Sequence, residues 1–167
     1  DTALNDLKKT GCGGILSFDQ EMLKALQHTA QQLNLARQIL LHNAVVPYYQ
    51  PKVNLKTGQI VGFEALLRWY DQNAVIQSPL DIEPAFEDFE LATRMSETMQ
   101  RKVFSDIRYC LEHNIHLHPV ALNAAPVEFL RDNYAENLLA RLDEYNIAPE
   151  LIEIEITEQS LEARGAS

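Results

Sequence analysis

Ile60-Val61-Gly62-Phe63-Glu64-Ala65-Leu66-Leu67-Arg68-Trp69 is an apolar, strand-forming segment with one carboxylate, Glu64, in its middle. Residues 45–53 upstream are also rich in β-forming types, and Asn54 to Gly58 between the two segments has the composition of a turn. Two strand-like segments joined by a short turn predict a β-hairpin. Because burying a carboxylate in a strand is costly unless it is paired or bound to a metal, Glu64 is a candidate functional residue.

The chain after this hairpin alternates between helical and strand patterns. The predicted elements are a helix at about 82–113, a strand at 117–123, a helix at 126–145 and a strand at 151–156. In the first of these helices, one face carries Met95, Met99, Val103 and Ile107. Strands and helices that alternate at this spacing predict right-handed βαβ units and a parallel sheet, so the fold class is α/β.

The first 43 residues precede this pattern. They predict a helix end over residues 1–9, a glycine-rich turn at 11–14, a small strand at 15–18 and a strong helix over 17–43. The apolar stripe of that last helix consists of Met22, Leu26, Ala30, Leu33, Ala36 and Leu40. The stripe fits a helix packed on its neighbour, and it also fits a connector that transmits signals between domains as a homodimer.

The composition limits the classes of partner. The 167 residues carry a formal net charge of -10, which argues against DNA or RNA polymers, since that affinity depends on Lys and Arg at the phosphates. Acidic residues can still hold a small phosphorylated ligand through a divalent cation. No apolar run approaches the ~18 residues that span a bilayer. Cys12 and Cys110 have no metal or redox spacing, so we expect a cytoplasmic location, free or as part of a membrane-anchored protein.

Three polar residues lie in or at the ends of predicted strands, namely Glu64, Asn123 and Glu155. Active sites of parallel α/β barrels form at the carboxyl ends of the strands. Two carboxylates and an amide oxygen make an all-oxygen set, which favours Mg²⁺ or Mn²⁺ over Zn²⁺. A structural alternative stays open, in which Glu64 pairs with Arg68 and Glu155 is solvated at a strand edge.

Four blocks, in order, resemble the EAL domain family. Glu64-Ala65-Leu66-Leu67-Arg68 resembles the motif that names the family, and Tyr49-Gln50-Pro51 lies at the usual distance ahead of it. Leu122-Asn123-Ala124-Ala125-Pro126 resembles the family's Asn-bearing strand, and Glu155-Ile156-Thr157-Glu158 resembles its Glu-x-Thr-Glu strand end. Residues 1–18 resemble the tail of a GGDEF domain, the diguanylate cyclase fold.

The resemblance implies a TIM-like (β/α) barrel of EAL type with one antiparallel strand, of which this chain holds the first half. It also implies a two-metal site that hydrolyses cyclic di-GMP to linear pGpG. The expected division is a remnant of an upstream GGDEF-like domain at 1–18, a connecting helix at 19–43 and the N-terminal portion of the EAL domain at 44–167.

The resemblance also assigns roles to individual residues. The three strand residues named above would bind the metal ions, Mg²⁺ or Mn²⁺. Gln50 would lie beside the nucleotide and Arg68 would contact a ligand phosphate. Glu158 would orient a loop that controls the metal site and the dimer, so the catalytic residues would be Glu64, Glu155 and Glu158.

Two departures from the family pattern affect these expectations. Ala124-Ala125 stands where the family has a Ser after the Asn, so we expect a different loop geometry. An Asp pair, a Lys and a further Glu of the family would follow Ser167, so we expect the isolated chain to be inactive. The alternative to a phosphodiesterase is an inactive EAL domain that acts as a cyclic di-GMP receptor or signalling scaffold.

Other residues have a functional and a structural interpretation. His116 and His118 share one face of a predicted strand, which fits a metal site, although a surface role is the default. Tyr48, Tyr49 and Trp69 could stack on guanine, but aromatic residues in strands more often belong to the core.

Overall fold

A computed structural model describes the backbone of residues 2–156 and the side chains of residues 19–156. The described helices are α1 (Thr2–Leu41), α2 (Phe89–Glu112) and α3 (Tyr134–Glu144). The described strands are β1 (Val45–Val53), β2 (Ile60–Tyr70), β3 (Ile76–Gln77), β4 (Val120–Ala124) and β5 (Ile152–Ile156). Short 3₁₀ segments cover Pro79–Phe86, Pro126–Leu130 and Pro149–Leu151.

One mixed sheet forms the centre of the molecule. β1 and β2 make an antiparallel hairpin, paired from Val45 opposite Trp69 to Val53 opposite Ile60. β4 pairs with β2 in parallel and β5 with β4 in parallel, which gives the order β1-β2-β4-β5, while β3 pairs with the end of β2. The structure therefore confirms the predicted α/β class, its hairpin and its parallel sheet.

α2 covers one face of this sheet. Its predicted apolar face is buried, with Met95, Met99, Val103 and Ile107 all in the core. The helix begins later than predicted because Asp88 caps it, with its Oδ1 accepting the N–H of Leu91 at 2.9 Å. Such a cap satisfies one of the unpaired N–H groups of the first turn and fixes where the helix starts.

The helix predicted over residues 126–145 is divided into a 3₁₀ segment and α3. Arg131 between them has an extended backbone, with φ of -113° and ψ of 142°. α3 is held against α2 by Arg141, which is 8% exposed and hydrogen-bonds to Glu97 Oε1 at 2.8 Å and to Gln100. Two shorter elements thus take the place of the predicted helix, and the 3₁₀ segment Pro149–Leu151 follows them before β5.

α1 continues through the glycine cluster. The turn predicted at residues 11–14 and the strand predicted at 15–18 are wrong, because both segments are helical. A Gly inside a helix costs about 1 kcal/mol relative to Ala. Each residue added to an existing helix gains a hydrogen bond, so the strong helix over 17–43 extends through the glycines. At its other end Asn43 has a φ of 52°, which reverses the chain into β1.

The described side chains of α1 pack on the domain at the C-terminal end of the helix. Ala36 and Ile39 are buried in the core, whereas Met22 and Leu26 are 50% and 64% exposed. The stripe predicted for this helix is therefore covered over part of its length. Neither α1 nor any other helix among the described residues has a long enough apolar stretch to cross a membrane.

Candidate active site

The strands place the predicted polar residues on one face of the sheet. Side chains alternate along a strand, so Ala65 and Leu122 point to the helices and are buried, while Glu64 and Asn123 point the other way. The cross-strand register sets Gln50 opposite Glu64 and Asn123 opposite Glu155. We call this surface the site face, and its polar residues are Gln50, Lys52, Glu64, Arg68, Asn123, Glu153 and Glu155.

Glu64 and Asn123 are in direct contact on the site face. Asn123 Nδ2 donates a hydrogen bond to Glu64 Oε1 at 2.8 Å, which orients both side chains across β2 and β4. The pairing of Glu64 with Arg68, considered above as a structural alternative, is not the contact that the structure shows. A carboxylate and an amide oxygen on neighbouring strands can face a common ligand.

Glu155 forms an ion pair that the sequence did not predict. Lys52 Nζ lies 2.5 Å from Glu155 Oε1 and 3.4 Å from Glu153 Oε2. β1 and β5 are the two ends of the strand order, and in a flat sheet they would be about 14 Å apart with parallel side chains. The contact therefore shows that the sheet curls around the site face, as the first half of a barrel does.

The two predicted ligand-binding residues, Gln50 and Arg68, lie on the site face. Gln50 is exposed on β1 opposite Glu64. Arg68 lies near the carboxyl end of β2, where its Nη1 donates to the carbonyl of Leu67 at 2.8 Å. Glu158, the third predicted catalytic residue, lies outside the described residues.

A cavity of about 680 Å³ opens beyond the ends of β2 and β4. Arg68 and Asn123 lie in its wall, so it adjoins the site face. Its other walls come from α2 and the flanking 3₁₀ segments, including Phe86, Met95 and Pro126. A mostly apolar hollow with a few polar groups at its edge is typical of small-molecule sites.

The loop after Asn123 is held by a residue that the sequence analysis missed. Glu128 is 6% exposed, and its Oε1 accepts the N–H of Ala125 at 2.7 Å. Burial raises the pKa of Glu128, although hydrogen bonds from Ala125 and Ser96 partly oppose the shift. A Glu three residues after a turn position is half of a capping box, and this spacing was the pattern available in the sequence.

The aromatic residues divide between the two faces. Tyr49 points away from the site face and donates to Asp106 Oδ2 at 2.6 Å, and Trp69 is buried with its Nε1 donating to the carbonyl of Ser78. Tyr48 was the third aromatic residue considered for stacking. It is two residues before Gln50 on β1, so it lies on the site face, and it is 45% exposed. Burial and Asp106 together raise the pKa of the Tyr49 hydroxyl.

The paired histidines do not lie in a strand. His116 and His118 precede β4 and their rings meet edge to face, 5.0 Å apart. The carboxyl ends of β4 and β5 lie at the other end of these strands, away from the two histidines. In the described part of the chain, no three His, Cys, Asp or Glu side chains are grouped so as to hold a metal ion.

Comparison with known proteins agrees with this arrangement. Residues 19–167 match the family described as the EAL domain. The chain belongs to the EAL domain family. This EAL chain is 26% identical over 160 residues to the bifunctional diguanylate cyclase/cyclic di-GMP phosphodiesterase MucR of Pseudomonas aeruginosa, covering 96% of this chain and 23% of that protein. It is 30% identical over 113 residues to the cyclic di-GMP phosphodiesterase PA2567 of the same organism, covering 68% and 19%.

The EAL chain also resembles solved EAL structures. It superposes on the PaMucR phosphodiesterase in its c-di-GMP complex with a TM-score of 0.69 and 26% identity, covering 77% of this chain and 52% of that one. The likeness confirms the TIM-barrel-like fold and shows that this chain corresponds to part of the domain. The chain spans about a fifth of the length of the curated relatives it matches.

Proposed function

We propose that this chain supplies the metal-binding and nucleotide-binding face of a cyclic di-GMP phosphodiesterase that yields linear pGpG. The observation that carries the proposal is the convergence of Glu64, Asn123 and Glu155 on one face of three neighbouring strands. The similarity to cyclic di-GMP phosphodiesterases gives the substrate class.

The donor atoms on this face suit a hard divalent cation. Glu64, Asn123 and Glu155 offer oxygens alone, which is the chemistry that Mg²⁺ and Mn²⁺ prefer. The Lys52 ammonium beside Glu155 shows that this position already accommodates a positive charge. In a two-metal site, bound cations supply an activated water at neutral pH and neutralise phosphoryl charge.

The other site-face residues would position the nucleotide. Arg68 presents a planar fork of donors that matches two phosphate oxygens, and a guanidinium stays charged throughout the physiological pH range. Gln50, opposite Glu64, can hydrogen-bond a nucleotide that lies against β1. We propose that Glu158, beyond the described residues, orients a loop next to the metal ligands.

The N-terminal segment is proposed to connect this site to another part of the protein. We propose residues 1–18 as the remnant of a GGDEF-like domain and 19–43 as a connecting helix. The exposed Met22 and Leu26 on α1 are compatible with a pairing helix in a homodimer. A cytoplasmic location fits the substrate class.

Replacing one metal ligand tests the proposal. In the full-length protein, Glu64→Gln keeps the shape of the side chain and its hydrogen-bond acceptor but removes the charge that would bind the cation. Loss of several kcal/mol of transition-state stabilisation corresponds to a fall in kcat of about a hundredfold or more. The measurement is the rate at which linear pGpG appears with Mg²⁺ or Mn²⁺.

The matched control is Glu90→Gln, because Glu90 is an exposed carboxylate in the first turn of α2 and remote from the site face. It should hydrolyse at the wild-type rate. Near-wild-type turnover by Glu64→Gln would contradict the ligand assignment. Tight cyclic di-GMP binding without turnover by the unmodified protein would show a receptor instead of an enzyme.

A further inference from the structure

The side-chain ammonium group of Lys52 lies between two carboxylates of the site face. Lys52 Nζ contacts Glu155 Oε1 at 2.5 Å and Glu153 Oε2 at 3.4 Å. The Lys52 side chain is 36% exposed, so the pair is partly shielded from water. Glu155 is also one of the three oxygen donors proposed above for a divalent cation.

The backbone opposite Lys52 leaves room for its long side chain. Its cross-strand partner on β2 is Gly62. A Cβ at Gly62 would lie 3.1 Å from the Pro119 carbonyl oxygen, which is tight, and 3.7 Å from Lys52 Cδ, which is an ordinary van der Waals contact. The aliphatic part of Lys52 therefore extends over this glycine towards β5.

We propose that Lys52 is a tethered counter-ion that competes with the divalent cation for Glu155. The inference rests on the metal ligation proposed above. A metal ion must approach the same Glu155 carboxylate that the Lys52 ammonium contacts. Two cations bound to one carboxylate repel each other. Lys52 has a flexible stem and can withdraw when the ion binds. Before metal binding, Lys52 keeps Glu153 and Glu155 in ion pairs with its ammonium group. It thereby lowers the affinity of the site for the divalent cation.

A titration of the full-length protein with Mn²⁺ alone, by calorimetry, tests the inference without measuring catalysis. Lys52→Met removes the charge and keeps the aliphatic stem, so the Kd for Mn²⁺ should fall at least fivefold. Lys52→Arg keeps a positive charge and should stay within about twofold of the wild type. Lys52→Gln, polar and uncharged, should behave like Lys52→Met and replaces it if the methionine variant does not fold.

The matched control is Lys56→Met, which makes the same change in net charge in the exposed turn between β1 and β2. Its Mn²⁺ affinity should equal that of the wild type. If Lys52→Met binds Mn²⁺ no more tightly than Lys56→Met, or binds it more weakly, the competition is disproved.

The two proposals fail in different ways. If Glu64→Gln weakens Mn²⁺ binding at least tenfold while Lys52→Met has no effect, the metal site stands and the role of Lys52 is wrong. If the wild-type protein binds no Mn²⁺ at all, the metal ligation is wrong, and the competition fails with it.

Discussion

Arg68, which we predict to contact a ligand phosphate, lies where the structure makes such a contact possible. It lies near the carboxyl end of β2 and in the wall of the cavity, where a phosphate could meet its guanidinium. A hydrogen bond between charged groups contributes about 1.5–3 kcal/mol, so Arg68→Ala should weaken cyclic di-GMP binding by roughly 10- to 100-fold. Arg68 is not among the proposed metal ligands, so the affinity for Mn²⁺ should stay unchanged.

Calorimetry with nucleotide and with Mn²⁺ separates these two effects. Arg68→Lys is the matched variant, because it keeps the charge but loses the two-pronged geometry, and it should fall between the wild type and Arg68→Ala. Equal losses of nucleotide and metal affinity in Arg68→Ala would count against a phosphate role.

The buried carboxyl group of Glu128 should make the stability of the protein depend on pH. Its folded-state pKa is raised by burial, so the folded protein binds the proton more tightly than the unfolded chain does. The contribution of Glu128 to stability is therefore greatest below its ordinary pKa of 4.5 and declines as pH rises through the interval up to its folded pKa. Glu128→Gln has no such titration and can still accept the N–H of Ala125.

The stability of Glu128→Gln relative to the wild type should therefore increase as pH rises above 4.5 and then level off. Urea unfolding at several pH values measures the difference. A difference that is constant with pH would mean that Glu128 does not titrate differently in the folded and unfolded states.

The 3₁₀ segment after β4 begins at a cap residue, Ala125, whose side chain cannot accept a hydrogen bond. The N–H of Glu128 donates to the Ala125 carbonyl at 2.9 Å, which is the ordinary hydrogen bond of a 3₁₀ turn. Ala125→Ser would complete the capping box and should raise the free energy of unfolding by about 0.5–1 kcal/mol. Denaturant unfolding measures this change.

Ala124→Ser is the control one position earlier. Ala124 is 3% exposed and points to the helices, so a hydroxyl there would be buried and the variant should be less stable. If both serine variants lower the stability, the cap interpretation of Ala125 is wrong.

The strands show how far the sequence alone leads. Glu64 and Asn123 were predicted as functional residues because each is a polar residue in or at the end of an apolar strand, and the structure places the two side chains in contact. The Lys52–Glu155 pair joins residues 103 positions apart through the curvature of the sheet, and curvature is not encoded in the alternation of any single strand.

The helices show why local composition can mislead. The glycine cluster at residues 11–14 has the composition of a turn, yet it lies inside α1 because the neighbouring helix extends through it. The predicted helix at 126–145 failed for the opposite reason, since Arg131 leaves the helical conformation between two elements. Helix propagation decided the first outcome, and the extended backbone of Arg131 decided the second.

On the scale of the whole molecule, the fold separates an apolar side of the sheet from a polar side. α2 covers one side of the sheet, the end of α1 packs against α2 and the Pro79–Phe86 segment, and the polar residues are gathered on the other side of the sheet. The net charge of -10 makes an anionic dinucleotide a poor ligand without a cation beside the carboxylates. Metal binding on the site face is thus the central claim.

A crystal structure of the full-length protein soaked with Mn²⁺, read by anomalous scattering, tests that claim most directly. We predict an anomalous peak within direct coordination distance of oxygens from Glu64, Asn123 and Glu155, with the Lys52 ammonium moved away from Glu155. A structure in which these three side chains share no metal peak, at Mn²⁺ concentrations that saturate binding in solution, would contradict it.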